Sequence, residues 1–172
     1  MTGFFLPIIM DEAQRKKCYS YSIRLLGKKD YSNYKMRQKL LGRDYDKEMV
    51  DDVIQEITEK KYLREDLYKE GRIKGFIRKG YNTKAILFRL SKERCHASEE
   101  EVLAIYEAME STPDEQLFEL IMKKVRIDYD FVSDKDKLKQ KTLRYIASRG
   151  HSIGEAVRLY PEVLSQFLEE RS

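Results

Sequence analysis

The sequence predicts an all-α protein assembled from tandem three-helix modules. Three observations point there. Apolar residues recur three or four apart in one segment after another, and no stretch beyond the N-terminus alternates as a half-buried strand does. Three Pro and eight Gly in 172 residues are too few turn residues for an all-β chain. Finally, a helix start is written twice at an offset of 50: "DYSNYKMRQKLL" from Asp30 returns as "GYNTKAILFRL" from Gly80, with Tyr31 answering Tyr81, Ser32 Asn82, Met36 Ile86 and Leu40 Leu90.

Each element has a local reason. A first helix near 11–28 carries Ile23 and Leu26 on its apolar face. Ser32 stands where an N-cap is wanted and opens a helix near 32–43. Met49, Val50, Val53, Ile54 and Ile57 share one face of a third, near 46–61. A fourth, near 64–79, contains Gly71 and Gly75; glycine costs about 1 kcal/mol against Ala inside a helix, so the pair is expected to allow close helix contact or bending. Asn82 caps a fifth near 82–94, and Ser98 with Glu101 forms a capping box for a sixth near 98–111. Thr112, Pro113 and Glu115 supply a cap, a first-position proline and an early acid for a seventh, near 113–127. Helices near 135–149 and 152–170 complete the set; Ser152 and Glu155 begin the last, with Gly154 weakening its first turn.

Nine helices in threes give a unit of about 50 residues, the period of a repeat array whose small modules must share their cores with neighbours. The third copy is degenerate. "YIASRGHSIGEAVRLY" from Tyr145 can be laid on "KLLGRDYDKEMVDDVI" from Lys39, placing Ile146 on Leu40, Arg149 on Arg43 and His151 on Tyr45. The expected repeats are 12–63, 64–111 and 112–172, preceded by a short apolar segment, 1–11, docked on the first helices. That segment lacks a basic start and a small-residue cleavage site and falls well short of the ~20 apolar residues of a membrane span.

Charge repeats with the helices. A net charge of +4 hides segments of +8 (12–43), −5 (44–66), +7 (69–94), −8 (98–119), +5 (120–150) and −2 (151–172). Each module has a basic front and an acidic back. Stacked in register, the fronts make a stripe suited to phosphates or acidic protein grooves, with salt-sensitive contacts. Alternatively, the acidic third helix of one module neutralises the basic first helix of the next, or the charges simply solvate helix faces. The candidate binding residues are Lys35, Arg37, Lys39 and Arg43, then Arg72, Lys74, Arg78, Lys79, Lys84 and Arg89. Lys35, Lys39 and Arg43 follow the i, i+4, i+8 spacing of one helix face.

No catalytic constellation converges. Cys95 adjoins His96, but adjacency in sequence does not make a nucleophile and base, and His151 fills a position equivalent to Tyr45, as a packing residue would. "GRIKGFIRKG" lacks the strand and terminal Lys-Ser/Thr of a phosphate loop. Cys18 and Cys95 have neither disulfide nor zinc spacing and read as reduced thiols of a cytoplasmic protein. No enzyme activity, metal or cofactor is expected. Twelve Tyr interleaved with Lys and Arg could stack bases, though packing between small helices accounts for them more simply.

"SIRLLGKKDYSNYKMRQKLLGRDYDKEMVDDVIQEITEKKYLRED" resembles the opening of bacterial RecX proteins, regulators of the RecA recombinase, and "FIRKGYNTKAILFRL" resembles the next signature of that family. The resemblance covers about residues 18–160. The family's paired Asp after Tyr-Leu is Arg64-Glu65 here, and the Pro that usually opens the fifth helix is Thr83. The resemblance implies three tandem three-helix repeats in an elongated, curved array. It also implies a non-catalytic modulator, an inhibitor of RecA filament assembly and activity, seated in the groove of the filament on single-stranded DNA and so acting on recombination, DNA repair and the SOS response. The expected partner is the RecA filament, with weak DNA binding besides, no membrane, and a monomeric chain. The alternative is a helix-turn-helix-like DNA-binding protein acting independently of RecA; the acidic last helix of each unit argues against it.

Overall fold

The computed structural model describes the backbone of residues 5–172 and the side chains from residue 12 onward, so the docking expected of segment 1–11 lies largely outside the described residues. The protein is all-α. Among the described residues there are nine α-helices and no strand: α1 (Phe5–Leu26), α2 (Asn33–Leu41), α3 (Lys47–Glu59), α4 (Glu65–Arg78), α5 (Thr83–Lys92), α6 (Glu99–Ala108), α7 (Pro113–Asp128), α8 (Lys135–Ser148) and α9 (Ile153–Glu169). A 3-10 turn, Tyr129–Phe131, extends α7 into the α7–α8 connection.

The caps read from the sequence are in place. The Ser32 hydroxyl accepts the Lys35 N–H at 3.2 Å and Asn82 Oδ1 accepts that of Ala85 at 2.8 Å. Ser98 and Glu101 bond reciprocally, and Thr112 takes the Glu115 N–H with Pro113 in the first turn. Asp46 and Asp134 cap α3 and α8 in the same manner, each accepting helix-start N–H groups that have no partner within the helix.

The helix ends recur too. After α2, α5 and α8 the chain turns through one left-handed residue: Asp44 (φ 60°), Arg94 (φ 55°) and Gly150 (φ 88°). After α3 and α6 the left-handed residues are Lys61 (φ 57°) and Glu110 (φ 53°). There Tyr62 donates to the Ile57 carbonyl and Ser111 to that of Tyr106, the six-to-one bond of a Schellman ending.

By its contacts the chain forms two compact units, with the division inside α4. One runs up to Gly71 and includes Glu93–Cys95; the other comprises Arg72–Lys92 and His96–Ser172. The core of the first unit is made by α1–α3: Cys18, Met36, Leu40, Val50, Val53 and Ile57 are fully buried. In the second unit α7–α9 close around Ile121, Val125, Ile146, Ala156, Val163 and Phe167, while Ile86 and Leu90 of α5 and Val102 and Tyr106 of α6 are buried where those two helices pack. The repeated apolar pairs thus do the same work in each place. Met36 and Leu40 seal one bundle, and Ile86 and Leu90 are equally inaccessible in theirs.

Of the two roles expected of Gly71 and Gly75, close helix contact is not found. A Cβ added at either would meet nothing within 4 Å, so no close helix contact requires them.

Candidate functional site: the basic clefts

The ten candidate residues divide by what holds them. Lys35, on α2, is not a free cation. Its Nζ donates to Glu93 Oε2 at 2.8 Å, and the Tyr68 hydroxyl donates to the same oxygen at 2.6 Å. Partial desolvation draws the Lys35 pKa down, but the bonds to Glu93 and Tyr68 outweigh it and hold the ammonium above its ordinary value. Arg37 grips Asp51 of α3 with both guanidinium nitrogens, one of them 2.8 Å from Oδ2. Arg15 of α1 likewise pairs with Glu56 of α3 at 2.6 Å. In this unit, then, acids of α3 engage basic residues of α1 and α2 of their own bundle.

Lys39 and Arg43 are exposed. They do not share a helix face, because α2 ends at Leu41 and Arg43 lies in the turn beyond. That turn carries Arg43 over the ring of Tyr21, 4.2 Å from guanidinium carbon to centroid, with Arg24 over the same ring at 5.2 Å. The result is a cleft of about 660 Å³ lined by Lys16, Lys17, Arg24 and Arg43 with Tyr21 and Tyr45. Among the described residues none of its lining side chains is acidic. Four cations around two phenol rings can hold a polyanion, with the rings as apolar floor and the charges spread along it.

In the second unit Arg72 lies over Phe76 at 4.6 Å and Lys74 is half-buried on α4. Lys84 is exposed at the start of α5. Arg89 stacks on Tyr81 at 3.8 Å. Arg78 and Lys79, both exposed at the end of α4, line a smaller cleft with Lys123 and Arg149. The structure therefore brings Arg78 and Lys79 together, and Arg43 with three cations of α1 that the sequence reading left out. Their signal is in "QRKKCYSYSIR", where Lys16, Lys17 and Arg24 flank Tyr19 and Tyr21, but only the fold brings Arg43 to them.

Cys95 is buried while His96 beside it is exposed. His151 is buried, and its ring meets the Gly80 carbonyl. Among the described residues no cluster of three His, Cys, Asp or Glu could hold a metal ion, and no helix is long and apolar enough to cross a membrane.

Residues 18–56 match the family model described as RecX, first three-helix domain. A regulatory protein RecX of Haemophilus influenzae is 25% identical over 152 residues, 87% of this chain and 96% of that protein. The regulatory protein RecX of Vibrio cholerae is 28% identical over 77 residues, and the chain spans about half its length, 51%. In fold, a crystal structure of RecX from Lactobacillus salivarius superposes with a TM-score of 0.66 at 16% identity, over 88% of this chain and 97% of that one. A second crystal structure of regulatory protein RecX gives 0.67 at 16% identity, over 90% and 75%. A family model on the first bundle, a relative aligned along nearly its whole length and a fold shared with two solved RecX structures agree in what the chain is similar to: RecX proteins.

Proposed function

We propose that the protein is a non-catalytic regulator of the RecA recombinase. It binds the groove of the RecA filament on single-stranded DNA and limits filament growth, and through that recombination, repair and the SOS response. Similarity to RecX proteins is the observation that carries this reading; the relatives bear the name regulatory protein. The basic cleft at Arg43, with Lys39 exposed nearby on α2, supplies a surface of the right sign for an acidic protein groove or for phosphates. The helix starts and left-handed helix ends that recur along the chain support three three-helix repeats, 12–63, 64–111 and 112–172, as its evolutionary plan.

The test is DNA-dependent ATP hydrolysis and strand exchange by the cognate recombinase. The protein is expected to inhibit both at substoichiometric ratios. Absence of any effect across all ratios, with tight sequence-dependent duplex binding at physiological salt instead, replaces this reading with an independent DNA-binding protein.

A further inference from the structure

The second unit's cleft has a chemistry of its own. It encloses about 390 Å³, within the range of small-ligand sites, and its lining includes Arg78, Lys79, Lys123, Arg149, Glu119 and Tyr145. Four cations against one carboxylate leave a surplus of three positive charges (4 − 1). Among the described residues none of the four cations is ion-paired, whereas Lys35 and Arg37 each hold a carboxylate. Like charges gathered in one cleft repel one another, and that cost persists unless an anion enters.

Arg149 is prepared for one. Its guanidinium lies over two rings, Tyr81 at 4.8 Å and Tyr145 at 5.2 Å, while its Nε is buried without a hydrogen-bond partner. The backbone beneath is pinned as well: the Arg149 carbonyl accepts the Asn82 N–H at 3.1 Å, and the next carbonyl, Gly150, accepts from the Asn82 side chain. Stacking fixes the plane of a guanidinium but does not satisfy its N–H groups. A stacked arginine with no carboxylate in its fork is a preorganised ligand for an oxyanion.

We propose that this cleft is a phosphate-binding site, with Arg149 as the bidentate ligand and Lys79 and Lys123 as the accompanying point charges. A phosphate group fits better than a carboxylate because it carries more charge and more acceptor oxygens against a threefold surplus. That charge is offered by the terminal phosphates of a free polyphosphate, or by successive phosphodiesters of single-stranded nucleic acid at one charge each. The proposal stands on this cleft alone and does not require the regulatory reading.

The experiment is calorimetric titration of the full chain with pyrophosphate and, separately, with oligothymidylate at constant ionic strength. It is repeated on Lys79→Gln/Lys123→Gln, two exposed positions whose loss leaves the core intact, and on Arg149→Lys. Saturable binding of pyrophosphate is expected, weakened roughly tenfold or more in the double variant and in Arg149→Lys, the loss that goes with one charge-assisted hydrogen bond. Binding of the oligonucleotide alone, with the same loss in the variants, identifies the phosphodiester as the source. Binding of neither ligand, or equal binding by wild type and the double variant, overturns the site.

Discussion

His151 and Gly80, 71 positions apart, are joined at 2.9 Å: the imidazole Nε2 meets the Gly80 carbonyl, which can only accept, so Nε2 carries the proton. The bond ties the α8–α9 turn to the α4–α5 turn within one unit. Burial lowers the His151 pKa; the bond to Gly80 and the charge of Glu155 pull it back only in part. The folded state therefore binds fewer protons than the unfolded chain just below the ordinary histidine value. The stabilisation is present in full above about pH 6.5 and is lost as pH falls toward the lowered folded value. Urea midpoints measured from pH 7.5 to 5 are expected to fall, and His151→Gln, whose amide keeps a donor near Nε2, is expected to flatten that part of the slope. An identical slope in both proteins would remove His151 as its source.

The same clasp makes its two glycines unequal. Both are left-handed, Gly80 at φ 76° and Gly150 at φ 88°. A Cβ on Gly80 would lie 2.6 Å from Leu120 Cδ1, the movable tip of a side chain. A Cβ on Gly150 would lie 2.7 Å from Asn82 Oδ1 and 2.8 Å from Ala85 Cβ, which cannot rotate away. Gly150→Ala is expected to cost about 2–3 kcal/mol and Gly80→Ala about 1–2 kcal/mol, since strain is common to both and the rigid clash belongs to one. Asp44 occupies the corresponding left-handed position after α2 without glycine, and Asp44→Gly is expected to stabilise by up to about 1 kcal/mol. Denaturant midpoints order the three.

These contrasts show which features were legible in the sequence. Helix starts were, because Ser32, Asn82, Ser98 and Thr112 act on backbone donors three residues away. Buried faces were, because Met36 with Leu40 and Ile86 with Leu90 obey the helical period. Charge pairing was not: Lys35 meets Glu93 and Arg37 meets Asp51 through the fold, so residues that read as one exposed stripe are partly consumed. Arg43 was chosen for a helix spacing it does not obey and sits in a basic cleft because the turn carries it to Tyr21. Arg149 had a signal, its alignment with Arg43, but its two-ring stacking depends on Tyr81, far away in sequence.

Tyr106 offers a measure of polar satisfaction in the core. Its ring is 1% exposed, and its hydroxyl donates to Gln116 Oε1 at 2.8 Å. Gln116 Nε2 in turn donates to the Ile77 carbonyl at 2.7 Å, linking α6, α7 and α4. Burial pushes the phenol up to about 12, so the link is intact throughout the neutral range. Tyr106→Phe removes the bond to Gln116 Oε1, which is left unpaired, together with a long one to the Tyr81 carbonyl at 3.4 Å, an expected loss of about 1–2 kcal/mol. Gln116→Leu removes two bonds, leaving the Ile77 carbonyl with only the Gly80 N–H at 2.8 Å and the Tyr106 hydroxyl with only the Tyr81 carbonyl at 3.4 Å, an expected loss of about 2–3 kcal/mol. Guanidinium denaturation of the two variants reads the difference; equal losses would mean that the Ile77 bond contributes nothing.

Lys39 and Arg43 separate binding from folding. Both are exposed and neither bonds a carboxylate, whereas Arg37, two residues before Lys39, is committed to Asp51. Lys39→Glu/Arg43→Glu should leave the melting temperature within about 2 °C of wild type, since surface changes of this kind stay within about 0.5 kcal/mol. In a RecA ATPase assay the same variant is expected to need about five to ten times more protein for half-inhibition, as two rim charges at roughly 0.5 kcal/mol or more each would give. Arg37→Glu should behave the other way. It sets two carboxylates together and lowers stability by about 1 kcal/mol, and the added Asp51→Arg exchange should restore it. Inhibition undiminished in the Lys39/Arg43 variant would remove Lys39 and Arg43 from the proposed binding surface.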